Sequence, residues 1–109
     1  MREFAFLFRA TRPVAPEDLP RRNTAARDWA LARRDEGSLS SASPLEDESV
    51  TIAAEGVSRP ADAQPVAAVL VIRAHDLEAA VTLARTHPGL AFGTQIEVRP
   101  VKPLQPIPR

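Results

Sequence analysis

The chain reads as a small α+β domain with a ferredoxin-like order, and three stretches predict it. Glu3 to Arg9 alternates Phe4, Phe6 and Phe8 with Ala5 and Leu7, the period of a strand. Val66-Ala-Ala-Val-Leu-Val-Ile72 is a continuous apolar run rich in β-branched residues, too short to span a membrane. Between and after these strands lie two segments with helical spacing, so the pattern is βαββ, loop, βαβ, a ferredoxin-like sheet carrying one additional strand. With 109 residues and 44% hydrophobic content, one domain is expected.

The first strand is apolar on both faces, as is Val66–Ile72. Two helices on one face of a small sheet leave the other face uncovered, and a second copy of the same sheet is the economical cover. A homodimer is therefore expected.

Thr11 to Ala15 is a loop. Pro16 suits a first helical turn, Glu17 and Asp18 complement the helix dipole, and Pro20 limits where the helix proper begins. Ala25, Ala26, Trp29, Ala30 and Ala32 supply the inward face, with Arg21, Arg27 and Arg34 outside and Gly37 as the stop. Ser38 to Leu45 continues as a Ser-rich strand with Leu39, Ser41 and Ser43 on one face. Its small side chains fit either the wall of a ligand cavity, with Ser41 as a contact, or an edge strand with little to pack. Glu46-Asp-Glu-Ser49 then turns the chain into a returning strand over Val50–Ala54, predicting a hairpin. Glu55 to Pro65 is a loop.

Past Val66–Ile72, Asp76 is a natural N-cap and Glu78 puts charge in the first turn. Leu77, Ala80, Val81 and Ala84 make the apolar face of the second helix. Pro88 ends it near His87, and Gly89 is free to take positive φ. Thr94-Gln-Ile-Glu-Val-Arg99 alternates as a half-buried strand, with Ile96 and Val98 inward. Beyond residue 101 the tail, residues 102–109, carries Pro103, Pro106 and Pro108, spaced for an extended polyproline-type segment that can bind a partner or simply extend the strand.

Composition excludes several functions. Fourteen basic and fourteen acidic residues cancel, which argues against nucleic-acid binding. Without Cys there is no disulfide, thiolate chemistry or Cys-based zinc site. No His/Asp/Glu spacing suggests a metal, no glycine-rich phosphate loop is present, and no cofactor is expected. No long apolar segment or signal-like leader is visible, which predicts a cytoplasmic protein without membrane attachment. Basic residues are Arg except Lys102, a habit associated with GC-rich bacterial genomes.

Two groups of residues also carry a resemblance. His87-Pro-Gly-Leu-Ala-Phe-Gly93 with Ile96-Glu-Val-Arg-Pro-Val101, preceded far upstream by Glu3-Phe-Ala-Phe-Leu-Phe-Arg9, resembles the YCII-related family in its DGPF-domain branch. The resemblance implies that residues 1–101 form one domain of this kind, with two sheets facing each other in a dimeric α+β barrel. The Asp-Gly-Pro-Phe segment itself is missing: Glu55-Gly-Val-Ser-Arg-Pro-Ala-Asp-Ala-Gln64 stands in its place, and Phe92 stands where relatives often carry His.

Few residues remain to carry chemistry. His75 is an exposed neighbour of the cap. His87 reads either as a helix-end His meeting free carbonyls, where the dipole favours its protonated form, or as a general base. Asp62 is a remaining carboxylate in the loop. Arg9 either orients an anionic ligand or pairs with Glu97. Trp29 at helical spacing belongs to the core before it serves as a ligand platform. The expected function is a non-catalytic small-molecule-binding or partner domain. The alternative is an enzyme acting on a small anion in the inter-sheet cleft, with His87 or Asp62 as base.

Overall fold

The computed structural model describes residues 1–58 and 65–104. In chain order they form β1 (Arg2–Ala10), a 3-10 turn (Pro16–Asp18), α1 (Leu19–Asp35), β2 (Leu39–Pro44), β3 (Thr51–Ala53) and β4 (Gly56–Ser58). Then come β5 (Val66–Ala74), α2 (Leu77–Ala84), a second 3-10 turn (Pro88–Phe92) and β6 (Thr94–Pro100). Four strands make one antiparallel sheet in the order β2-β5-β1-β6. Each helix links strands that are not neighbours, which makes the arrangement compatible with a ferredoxin-like fold.

The two most apolar strands take the centre. Phe4 pairs with Ile72, Phe6 with Leu70 and Phe8 with Ala68. All three Phe side chains point to the helix side, where they are buried together with Trp29 of α1 and Ala80 and Ala84 of α2. At roughly 1.5–3 kcal/mol per buried large side chain, this row outweighs the surface ion pairs, each worth about 0–1 kcal/mol. Both helices therefore lie on one face. Among the described residues no element covers the opposite face, where Ala5, Leu7, Val69 and Val71 are only half-buried. The expectation that Val66–Ile72 is buried on both faces holds within the chain for its helix side alone.

The helix ends follow local chemistry. Asp76 Oδ1 accepts from the Ala79 N–H at 2.8 Å, the predicted N-cap. At the end of α1, Gly37 has φ +85°, its N–H bonds Arg34 O, and the Ser38 N–H bonds Arg33 O. This is the paired C-terminal closure that glycine makes possible. Gly89 does not use positive φ, contrary to expectation; Gly93, at φ +84°, takes that conformation where the 3-10 turn enters β6.

Two helix faces depart from the expected ones at single positions. Ala32 is exposed, and Arg33 takes its place inward, its guanidinium over the Trp29 ring at 5.5 Å. Leu77 is exposed, and Leu83 packs on the core instead. In both cases several small apolar residues fit more than one helical stripe, and packing against the core selects the stripe.

The predicted hairpin between the Ser-rich strand and the 50–54 segment does not form. β3 pairs with β4 around Ala54 and Glu55 in a separate two-stranded sheet, with Ile52 opposite Val57. Among the described residues, the hairpin contacts no other element. Among the described residues β2 pairs with β5 alone and is an edge, with Pro44 lacking the N–H a further ladder needs. No helix among the described residues is long and apolar enough to cross a membrane.

Candidate functional site

Small residues on three elements meet on the helix side of the sheet. Ala26 and Ala30 of α1 face Ala42 and Pro44 of β2 and Ala68 of β5. None can fill the space between helix and sheet, and a cavity of about 450 Å³ results. That is within the range of small-molecule sites. Phe8, Leu70 and His87 form its deeper wall, while Arg22, Asn23 and Arg27 of α1 border it from the helix.

His87 is the chemically informative group. It is 8% exposed, and its ring lies edge-on to Phe8 at 4.7 Å and to Trp29 at 4.8 Å between centroids. The Gly89 N–H donates to His87 Nδ1 at 2.9 Å, so the side chain caps the 3-10 turn. With Nδ1 an acceptor, the neutral ring carries its proton on Nε2. Burial among aromatic rings lowers the His87 pKa from 6.5 to about 4. This overturns the expectation that the helix dipole favours the protonated form: the cost of desolvating a cation exceeds what a helix end returns.

Gly89 leaves room for that contact. A Cβ there would lie 3.0 Å from His87 Nδ1 and 3.0 Å from Thr94 Oγ1. The His-Pro-Gly run is thus a single device: Pro88 opens the turn, and Gly89 lets the imidazole close over its own backbone. Nε2 finds no protein partner among the described residues. The fully enclosed side-chain polar atom left without a hydrogen bond there is Arg33 Nε, which has Glu36 Oε1 as an ionic neighbour at 3.0 Å, so Nε2 is not fully enclosed.

Charge at the cavity is of one sign. Arg22 binds Asn23 Oδ1 through Nε at 3.1 Å and a terminal nitrogen at 2.8 Å. Among the described residues neither Arg22 nor Arg27 forms an ion pair. Among the described residues no Asp or Glu lines the space.

The candidates from sequence separate. His87 lines the cavity. Trp29 lies beneath it as core, its indole N–H bonded to Thr86 Oγ1 at 2.9 Å. Arg9 borders the cavity, but its guanidinium is paired with Glu97 at 2.8 Å. Ser41 is displaced: a β-bulge between Leu39 and Ser41 puts Leu39, Ala42 and Pro44 on the helix side and Ser41 on the open face. The cavity wall of β2 is therefore Ala42 and Pro44, not Ser41. Asp62 lies outside the described residues. The cavity sits between helix and sheet, whereas the enzyme alternative needs a cleft between two sheets.

Arg22 and Arg27 border the cavity, although the sequence pattern did not single out Arg22 and placed Arg27 on the outer face of the helix. Arg22 shares a helical stripe with Ala26, Trp29 and Arg33, and that spacing was the available signal. Among the described residues no cluster of three or more His, Cys, Asp or Glu side chains could hold a metal. No family model matches the chain, and no curated protein gives a significant match.

Proposed function

We propose that this chain is a divergent YCII-related domain, a homodimer that binds a small molecule and does not turn it over by acid–base chemistry. The observation that carries the reading is the state of His87 in the cavity wall. Its Nδ1 lone pair is occupied by the Gly89 N–H, and Nε2 carries the proton of the neutral ring. A ring in that state donates a hydrogen bond and has no free lone pair with which to accept a proton. The cavity is lined largely by apolar surface with a few polar groups, the composition of a binding site.

The dimer is supported by the sheet face that the chain leaves bare. Ala5, Leu7, Val69 and Val71 form an apolar stripe across the two central strands, with Glu97 and Arg99 on one flank and serines on the other. A second copy laid on this stripe buries it at ordinary sheet-to-sheet spacing.

Binding is tested by ligand-observed NMR with a panel of neutral, anionic and cationic aromatic fragments. Fragments that bind wild type and lose binding in Ala26→Leu, which fills the cavity, support the reading. A panel in which nothing binds, or binds Ala26→Leu equally well, sinks it.

A further inference from the structure

We propose that the cavity selects a small monocarboxylate with an apolar body, its carboxylate held between Arg22 and Arg27 and its body against Phe8 and Leu70. This rests on the binding reading and adds the chemical class of the ligand.

Among the described side chains around this space, donors outnumber acceptors, and the charged ones are Arg9, Arg22 and Arg27. Arg9 is neutralised by Glu97 at 2.8 Å. Arg22 spends two of its nitrogens on a neutral acceptor, Asn23 Oδ1. That bond leaves its charge uncompensated, and it orients the guanidinium while the Asn23 amide nitrogen stays available as a donor. Arg27, further along α1, adds a second cation without an ion pair among the described residues. His87, whose neutral ring carries its proton on Nε2, also lines the space. Against these donors stands Thr94 Oγ1, the main side-chain acceptor bordering the space. A donor-rich, acceptor-poor site calls for a ligand head that only accepts.

The rest of the cavity restricts the ligand's body. Phe8, Leu70 and the alanines of α1 give it an apolar floor, so a bare inorganic anion would leave that surface wet. A cation is opposed by both arginines. A planar carboxylate matches the guanidinium fork, and a volume near 450 Å³ accommodates an aromatic ring or short branched chain behind it.

The test uses benzoate, its neutral isostere benzamide and inorganic phosphate, with binding read by Trp29 fluorescence and calorimetry. Benzoate is expected to bind at least about tenfold tighter than benzamide or phosphate, the scale of one charge-assisted contact. The preference should shrink as salt is raised and vanish in Arg22→Gln/Arg27→Gln, whose exposed or half-exposed positions tolerate the change. Benzamide binding as tightly as benzoate would overturn the carboxylate class while leaving the binding reading intact. Phosphate competing as well as benzoate would overturn the need for an apolar body. Failure of benzoate, benzamide and the wider fragment panel together would remove the binding reading itself.

Discussion

His87 shows how one buried side chain links a turn, a core and a cavity. Its ring fills the gap between Phe8 and Trp29, and edge-on aromatic pairs of this kind contribute about 0.5–1.5 kcal/mol each. Its titration has a defined sign. The unfolded chain takes up a proton near pH 6.5, and the folded chain only near 4. Between those values the unfolded state holds more protons, so this residue makes the protein less stable as pH falls through the window. The separation corresponds to at most about 3 kcal/mol. Urea unfolding at a series of pH values should show this loss, and His87→Gln should lack that component. Equal pH slopes for the two proteins between pH 4 and 6.5 would show that His87 is not the group responsible. Gly89→Ala probes the same contact: its Cβ meets Nδ1 and Thr94, and fluorescence of the sole Trp should report the displaced ring.

The second helix is the clearest element. It is short, and its start depends on a single side chain, since Asp76 accepts the Ala79 N–H. Asp76→Ala should cost about 1 kcal/mol, with Asp76→Asn retaining most of the stability; thermal unfolding measures both. The first helix instead depends on its tertiary neighbours. Trp29 is its one buried residue, and alanines make up much of the remaining inward face. That economy of side chains leaves the cavity open. The β2 bulge contributes too, because it moves Ala42 into the wall and rotates Ser41 away.

Across the whole molecule, stability should be concentrated in the four-stranded sheet and its helices. The β3–β4 hairpin exposes Ile52 at 77% and Val57 at 68% and contacts no other element among the described residues. Ile52→Ser should therefore shift stability by no more than about 0.5 kcal/mol, whereas Phe6→Ala should cost about 3–5 kcal/mol. Denaturant midpoints distinguish the two. The bare sheet face makes the opposite prediction for association. Leu7→Asp places a charge in the centre of the proposed interface while leaving the helix-side core intact, so sedimentation should show a folded monomer where wild type is a dimer. A wild type that sediments as a monomer at high concentration would remove the dimer from the proposal.

Much of this architecture was legible in the residues. Alternating Phe4, Phe6 and Phe8, the apolar Val66–Ile72 run, the Asp76 cap and the Ile96/Val98 alternation each follow from local periodicity or capping chemistry, and each stands where it was expected. The hairpin partner, the face of Ser41, the protonation of His87 and the cavity did not follow, because they depend on what lies across space. Pairing of β3 is a choice among competing strands, a bulge shifts one strand by a single residue, and a pKa responds to solvent removed by distant side chains. Sequence by itself determined the two helices and the four strands of the main sheet in their chain order, but not β4, since backbone sterics and hydrophobic period act over a few neighbouring residues. Only the tertiary structure decided where a site exists, because a cavity is the volume that packing leaves unfilled.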